Sequence, residues 1–456
     1  MQRSRRARFT VAVVFVSLLM PAAIHASSTM PQPPGTRWSA AAEERPATDL
    51  RVALSRLLGE HAFLIMETMR SSSLGMGEQA ALGVALDDNS FQLRDAIESV
   101  YGETAGRQFA DLWNGHVELL LAYADAGRRS DVAASNEALR RLDRYVTEFS
   151  AFLADANEAF EGHDEAAALQ LHIDQLTAFS DGDYARAYAA QREAFGHMFA
   201  LGDHLALGIV RQFPERYPDG AVAFSPRADL QLLLDRLLAE HLVLAAETMR
   251  AGVAGTPDFR PGSEALAGNS ADLAGAVGSV YGQAAGDAFG EVWRAHVDAY
   301  LTFVAALGSG DGTARSSSLM QLHAYHDEIA TFLAAANPNL QKDGVAALIR
   351  RHVQALISQA EATAAGDHER AVATTREAYA GMFEVGAALA DAIVRQFPDR
   401  FKDLTELPGT SVADDAPSGL RRAPGIELSL ILGLTGTVIC LVIAGFLLRD
   451  GFRRHR

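Results

Sequence analysis

The chain has 456 residues, of which 49% are hydrophobic, and it carries a formal net charge of −17. This acidic balance argues against nucleic acid and anionic lipid surfaces as partners, because both repel negative charge. The single cysteine, Cys440, excludes an intramolecular disulfide, so every folded domain must depend on an apolar core.

The first 26 residues predict a secretory signal peptide. Arginines between positions 3 and 8 precede an apolar stretch from Phe9 to Ile24, and small residues follow around Ala26. Residues 27–48 are rich in Pro, Ser and Ala and lack apolar periodicity. We therefore expect an exported protein whose mature chain begins with a flexible leader.

The middle of the chain is an internal repeat. Residues 56–70 read RLLGEHAFLIMETMR, and residues 236–250 read RLLAEHLVLAAETMR, so the offset is 236 − 56 = 180. After a four-residue insertion both copies close on the same Gln-Phe-Pro motif. Two domains of similar sequence are predicted, at 49–217 and 227–402, with a short joint at 218–226, and each is long enough to bury its own core.

Apolar periodicity within the first copy predicts helices. The predicted stretches are about 50–70, 90–101, 104–127, 131–155 and 164–212, the last broken at Gly182. Strand-like alternation is not found, so the fold class is all-α, with two tandem homologous antiparallel bundles and one C-terminal transmembrane helix. Asp49 and Asp229 are predicted to cap the first helix of each copy. Arg56 and Glu60 have the spacing of a surface ion pair.

The C-terminal segment predicts a membrane anchor. Residues 403–427 form a flexible spacer, and the uncharged apolar run at 428–448 is long enough to cross a bilayer. Arginines in the tail at 449–456 favour a cytoplasmic C-terminus. The expected protein is a single-pass cell-membrane protein with its helical domains outside, and its expected partners are the membrane and another envelope or membrane protein.

Three histidines are retained in both copies, each on an apolar helix face. They are the pairs His61 and His241, His116 and His296, and His172 and His352. Imidazole is a common ligand of copper, iron and zinc, and bundle cores hold such sites. We therefore predict in each bundle one buried three-histidine site for a transition metal or a small cofactor, with Met198 and Met382 as candidate additional ligands.

A metal-free interpretation stands beside this hypothesis. Buried histidines are often core residues whose two ring nitrogens bond to hydroxyls, carbonyls or carboxylates. In that case the chain is a structural or protein-interaction module of the bacterial surface. An enzyme ranks third, because no nucleophile motif occurs and the cysteine falls in the predicted anchor.

The combined motifs resemble a known group of proteins. They are Glu-His at 60–61, Val-Tyr-Gly at 100–102, His116, His172 and Ile-Val-Arg-Gln-Phe-Pro at 209–214. The pattern is similar to exported tandem helical-repeat proteins of Gram-positive bacteria. That family has no established activity, so the resemblance implies the repeat and the export and assigns no catalytic residue.

Overall fold

α-Helices form almost all the regular structure of the chain. The computed structural model describes residues 46–160, 165–180, 182–404 and 407, and within these residues there are 13 α-helices, one 3₁₀ turn at 158–160 and no strand. The all-α prediction is therefore confirmed. The predicted signal peptide, membrane anchor and tail lie outside the described residues, as do most of the leader and spacer.

The same series of six helices occurs twice along the chain. The first half contains α1 (Pro46–Leu74), α2 (Gln79–Tyr101), α3 (Glu103–Arg128), α4 (Val132–Ala156), α5 (Glu165–Ser180) and α6 (Tyr184–Gln212). The short helix α7 (Gly220–Ala223) follows. The second half contains α8 (Pro226–Ala254), α9 (Phe259–Tyr281), α10 (Gln283–Ser309), α11 (Gly312–Ala336), α12 (Lys342–Ala364) and α13 (His368–Gln396). None of the helices in this described part is long and apolar enough to span a bilayer.

Several predicted helix ends agree with the structure. Gly102 separates α2 from α3 with φ of 87°, a backbone conformation that side chains with a Cβ rarely adopt. Gly182 stands at φ of 75° where the long fifth stretch was expected to break. Asp183 and Asp367 then cap α6 and α13, each accepting a hydrogen bond from a backbone N–H three residues later.

Two predictions about helix starts are wrong. α1 begins at Pro46 and α8 at Pro226, so Asp49 and Asp229 lie in the first helical turn and are not caps. Proline suits a first helical position because its missing N–H would have no partner there. α2 begins at Gln79, about three turns before the predicted start near residue 90, and these added turns bury Leu82, Ala85 and Leu86 at helical spacing.

The first helix of each half is the centre of its bundle. α1 packs against α2, α3, α5 and α6, and α8 packs against the corresponding helices of the second half. Every residue from 57 to 72 and from 237 to 252 is buried, so these helices are covered on all sides. A polar side chain in either segment is thus held in a largely apolar interior.

Close helix contact depends on glycine at one position of α6. A Cβ at Gly202 would lie 2.7 Å from the backbone N and Cα of Ser55 on α1, whereas a Cβ at Gly196 would meet only Arg236, at 3.9 Å. We expect Gly202→Ala to lower the free energy of unfolding by about 1 to 3 kcal/mol through overpacking. Gly196→Ala, on the same helix, should raise it by about 0.5 to 1 kcal/mol through helix propensity.

Denaturant unfolding of both variants checks this prediction. Equal effects of the two substitutions would show that α1 and α6 do not approach as closely as the structure indicates.

The two halves share one hydrophobic core and exchange charged contacts. Arg376 on α13 donates to Glu60 on α1 at 2.8 Å, and Arg192 on α6 donates to Glu240 on α8 at 2.9 Å. The two arginines are equivalent, because 376 − 192 equals the later offset of 184. Phe199 also stacks on its own equivalent, Phe383, with centroids 6.1 Å apart. The halves are thus related by an approximate twofold axis.

These contacts correct the predicted surface pair of Arg56 and Glu60. Glu60 is 3% exposed and Glu240 is 1% exposed, so neither is a surface residue. Glu60 also accepts a hydrogen bond from Asn89 at 3.1 Å, and Glu240 accepts one from Asn269 at 2.8 Å. Both glutamates therefore link the two halves and do not form a surface ion pair within one helix.

Candidate metal centre

Three helices of the second half bring their histidines together. His241 lies on α8, His296 on α10 and His352 on α12, and these three helices contact one another. The side chains are 1%, 2% and 6% exposed, respectively. Each histidine occupies the apolar face that its helix turns to the core, which is why the helical pattern makes them converge.

The three rings are close enough to share one ion. Each offers a nitrogen, and the three nitrogens lie within 4.8 Å of one another. A single point therefore lies no more than about 4.8/√3, or 2.8 Å, from all of them. Imidazole nitrogen binds zinc at about 2.0 to 2.1 Å, so rotations that move each nitrogen by less than about 1 Å would complete a site. This buried triad can hold a metal ion.

The ring nitrogens of the triad have no hydrogen-bond partner. This holds for Nδ1 and Nε2 of His241, His296 and His352, among the described residues. The backbone of Trp293 acts to raise the pKa of His296, although neither ring nitrogen of His296 makes a hydrogen bond within the usual distance and angle limits. A neutral imidazole has one donor and one acceptor nitrogen, so the triad presents three free lone pairs.

Burial keeps the triad neutral. Burial lowers the pKa of His352 to about 4. Burial, together with repulsion from His352, lowers the pKa of His296 to about 3. The pKa of His241 is far below its ordinary value for the same reason, with repulsion from both other rings added. All three rings are therefore unprotonated at neutral pH, which is the state that binds a metal.

Aromatic side chains form the walls of the triad. Trp293 packs edge-on against His241 and His296, with centroid distances of 4.9 and 4.6 Å. Tyr325 stacks on His296 at 4.3 Å. The indole Nε1 and the phenolic hydroxyl have no hydrogen-bond partner in the described structure. The surroundings are thus apolar aromatic faces that supply no charge.

The first half repeats the arrangement for two of its histidines. His61 on α1 and His116 on α3 are buried, and their Nε2 atoms are 3.3 Å apart. Two ligands of one tetrahedral ion at about 2.0 to 2.1 Å have nearly this separation. Trp113 contacts both rings and Tyr145 stacks on His116.

The remaining predicted ligands stay predictions. His172 belongs to α5, but its side chain lies outside the described residues. Met198 on α6 and Met382 on α13 are both 4% exposed, which places them in the core without placing them at the triads.

A second buried polar group lies between the halves, and the helical pattern did not predict its position. We call it the inter-half charge cluster; it comprises Glu67, Arg70, Gln191, Glu247 and Arg250, around a cavity with room for about one water molecule. Arg70 donates to Glu67 at 2.8 Å, and Gln191 donates to Glu247. Arg250 pairs with Asp258 at 2.7 Å and lies 3.8 Å from Glu67.

Equivalent carboxyl groups in this cluster have different electrostatic surroundings. Burial raises the pKa of Glu67, but the charge and hydrogen bonds of Arg70 outweigh burial and hold it below its usual range. Burial and the charge of Glu67 raise the pKa of Glu247 well above its usual range. The pKa values of these two equivalent carboxyl groups are thus shifted in opposite directions.

No protein-family model, curated protein or solved structure significantly matches the chain.

Proposed function

We propose that this chain is a metal-binding protein of the cell envelope, with one three-histidine site in each half. One observation carries the proposal: three buried imidazoles on three helices turn nitrogens without hydrogen-bond partners toward a common point. The equivalent pair His61 and His116, with Nε2 atoms 3.3 Å apart, supports a second site in the first half.

The energetic argument for a bound metal is the cost of burying a polar group without a hydrogen-bond partner. A buried donor or acceptor without a partner destabilises a protein by about 1 to 3 kcal/mol. Natural cores satisfy such groups, so a packing histidine is expected to hydrogen-bond through both nitrogens. Three neighbouring rings without partners fit a site whose partner is a metal ion, and copper, iron and zinc are the candidates that imidazole suits.

The location of the protein is part of the same proposal. The signal peptide at 1–26 and the apolar run at 428–448 favour export of two tandem homologous bundles and their anchoring by one transmembrane helix, with the tail in the cytoplasm. Such a protein would hold its metal outside the cell, beside membrane or envelope proteins. Binding, and not catalysis, is the role that the described residues support.

Elemental analysis of the full-length chain purified in detergent tests metal binding. We expect His241→Gln, His296→Gln and His352→Gln together to remove about one equivalent of metal, because three of the site's ligands are lost. His323→Gln on α11 is the matched control, since His323 is exposed and lies in the same half. It should retain the full metal content.

Circular dichroism and thermal unfolding of each variant accompany the metal assay. A wild-type chain that holds no metal after incubation with copper, iron and zinc salts, and that keeps its helical fold, would favour the metal-free structural module.

A further inference from the structure

The second-half triad is uncharged, and this neutrality indicates the oxidation state of the ion that it selects. Among the described residues the group that converges on the common point contains only His241, His296 and His352, with no carboxylate and no thiolate. A metal bound there would keep its full charge, because neutral ligands cancel none of it. The triad therefore differs from sites in which an anionic ligand offsets part of the charge of a divalent ion.

The nearest carboxylate along the chain does not change this balance. Glu240 precedes His241 on α8, but successive helical side chains point about 100° apart. Glu240 is engaged elsewhere, accepting from Arg192 at 2.9 Å and from Asn269 at 2.8 Å. Its charge is already neutralised by a guanidinium, so it does not compensate a metal at the triad.

Solvent does not supply the missing negative charge either. The three histidines are at most 6% exposed, and Trp293 and Tyr325 pack against them. The electrostatic cost of transferring an ion into such an interior grows with the square of its charge, so a divalent ion costs about four times as much as a monovalent ion of equal size. Three-histidine zinc sites leave a fourth position open to water or hydroxide, whereas this triad is enclosed by aromatic side chains and therefore favours a monovalent ion.

We propose that the second-half triad is a site for monovalent copper, Cu(I), and that it disfavours Cu(II) and Zn(II). This inference deepens the proposed metal binding and rests on it. Cu(I) is the monovalent transition-metal ion that accepts two or three imidazole nitrogens, and its filled d shell imposes no square-planar geometry. Three nitrogens around one point match that requirement, and no fourth ligand is needed.

Anaerobic competition titrations of the full-length chain test the proposal. The background carries His61→Gln, His116→Gln and His172→Gln so that only the second-half triad is measured, and Cys440→Ser because thiolates bind Cu(I). Cu(I) is titrated against bicinchoninate, and Cu(II) and Zn(II) against chromophoric chelators. We expect Cu(I) to bind at least about 100-fold more tightly than either divalent ion.

A charged ligand should reverse this preference. In the same background, His352→Asp places one negative charge at the site and should shift the affinity ratio toward Zn(II) by at least about tenfold. Further replacement of His241, His296 and His352 by Gln should abolish Cu(I) binding. Thermal unfolding identifies any variant that fails to fold, and the comparison of ions on the intact triad does not depend on those variants.

The possible failures are distinct. If Zn(II) or Cu(II) binds the intact triad as tightly as Cu(I), the charge inference is overturned while metal binding stands. If none of the three ions binds, both the inference and the proposed function are overturned for this half.

Discussion

Glu67→Gln should lower the free energy of unfolding by about 1 to 3 kcal/mol, whereas Glu247→Gln, at the equivalent position, should raise it at pH 7. Glu67 is an ionised carboxylate bonded to Arg70 at 2.8 Å. Its loss removes the main counter-charge of the buried Arg70 guanidinium, which keeps its hydrogen bond to Glu78 at 2.8 Å. Burial and the charge of Glu67 favour the uncharged form of Glu247, and glutamine keeps the oxygen that accepts from Gln191.

The pH dependence of the Glu247 variant separates this explanation from simple packing. The pKa of Glu247 is higher in the folded chain than its unfolded value of about 4.5. Its contribution to the free energy of unfolding is therefore complete below pH 4.5 and is lost as the pH rises above that value. Glu247→Gln should therefore equal the wild type near pH 4 and become progressively more stable than it above pH 4.5. Denaturant unfolding at several pH values measures this difference. Equal losses for the Glu67 and Glu247 variants would contradict the assigned charges.

Acidification from pH 7 to pH 5 should destabilise the metal-free protein by about 2 kcal/mol for each of His296 and His352. The folded pKa values are about 4 for His352 and about 3 for His296, against about 6.5 for an unfolded histidine. The unfolded chain thus takes up protons in this range and the folded chain does not. Stability is constant above the unfolded pKa and falls as pH decreases below it.

A difference measurement isolates the histidine contribution. Glu247, whose pKa is raised, acts in the opposite direction over the same pH range and would obscure the total. The free energy of unfolding is measured for the wild type and for His352→Gln at each pH in the presence of a chelator. Subtracting one value from the other removes the contribution of Glu247, which both proteins share. The difference should change by about 2 kcal/mol between pH 7 and pH 5. A flat difference would show that His352 is protonated in the folded chain.

The helical architecture was predictable because its causes are local. A 3.6-residue apolar period, glycine at Gly102 and Gly182, and aspartate caps at Asp183 and Asp367 act within a few residues of where they stand. The start of α2 was missed although Leu82, Ala85 and Leu86 are buried, because the run from Asp87 to Ser90 has the residue types of a helix N-terminus.

The pairing of charges was not predictable because it joins distant residues. Glu60 meets Arg376, which is 316 positions away, while the nearer Arg56 has the spacing of a helical ion pair. A rule based on four-residue spacing considers one helix alone and cannot include a partner on another half. The same limitation hid the inter-half charge cluster, whose members come from α1, α6 and α8.

The site was partly predictable. Retention of histidines on apolar faces identified His241, His296 and His352, and the structure brings these three together. The register of the third histidine in the first half is ambiguous in sequence, because Gln175 matches Gln359 at the offset of 184 while His172 matches His352 at 180. Four residues are about one helical turn, so both alignments keep the same face toward the core.

The exchange of Arg192 and Arg376 between the halves has an evolutionary consequence. Each half gives an arginine to a glutamate of the other, and Phe199 meets its own counterpart, which is the self-complementary pattern of a twofold interface between identical subunits. This is the pattern expected if a single-repeat ancestor formed a homodimer and gene duplication later joined its two subunits in one polypeptide. Fusion releases the copies from identity: Gln191, which donates to Glu247, corresponds to Thr375 in the second half, so the inter-half charge cluster is no longer symmetric.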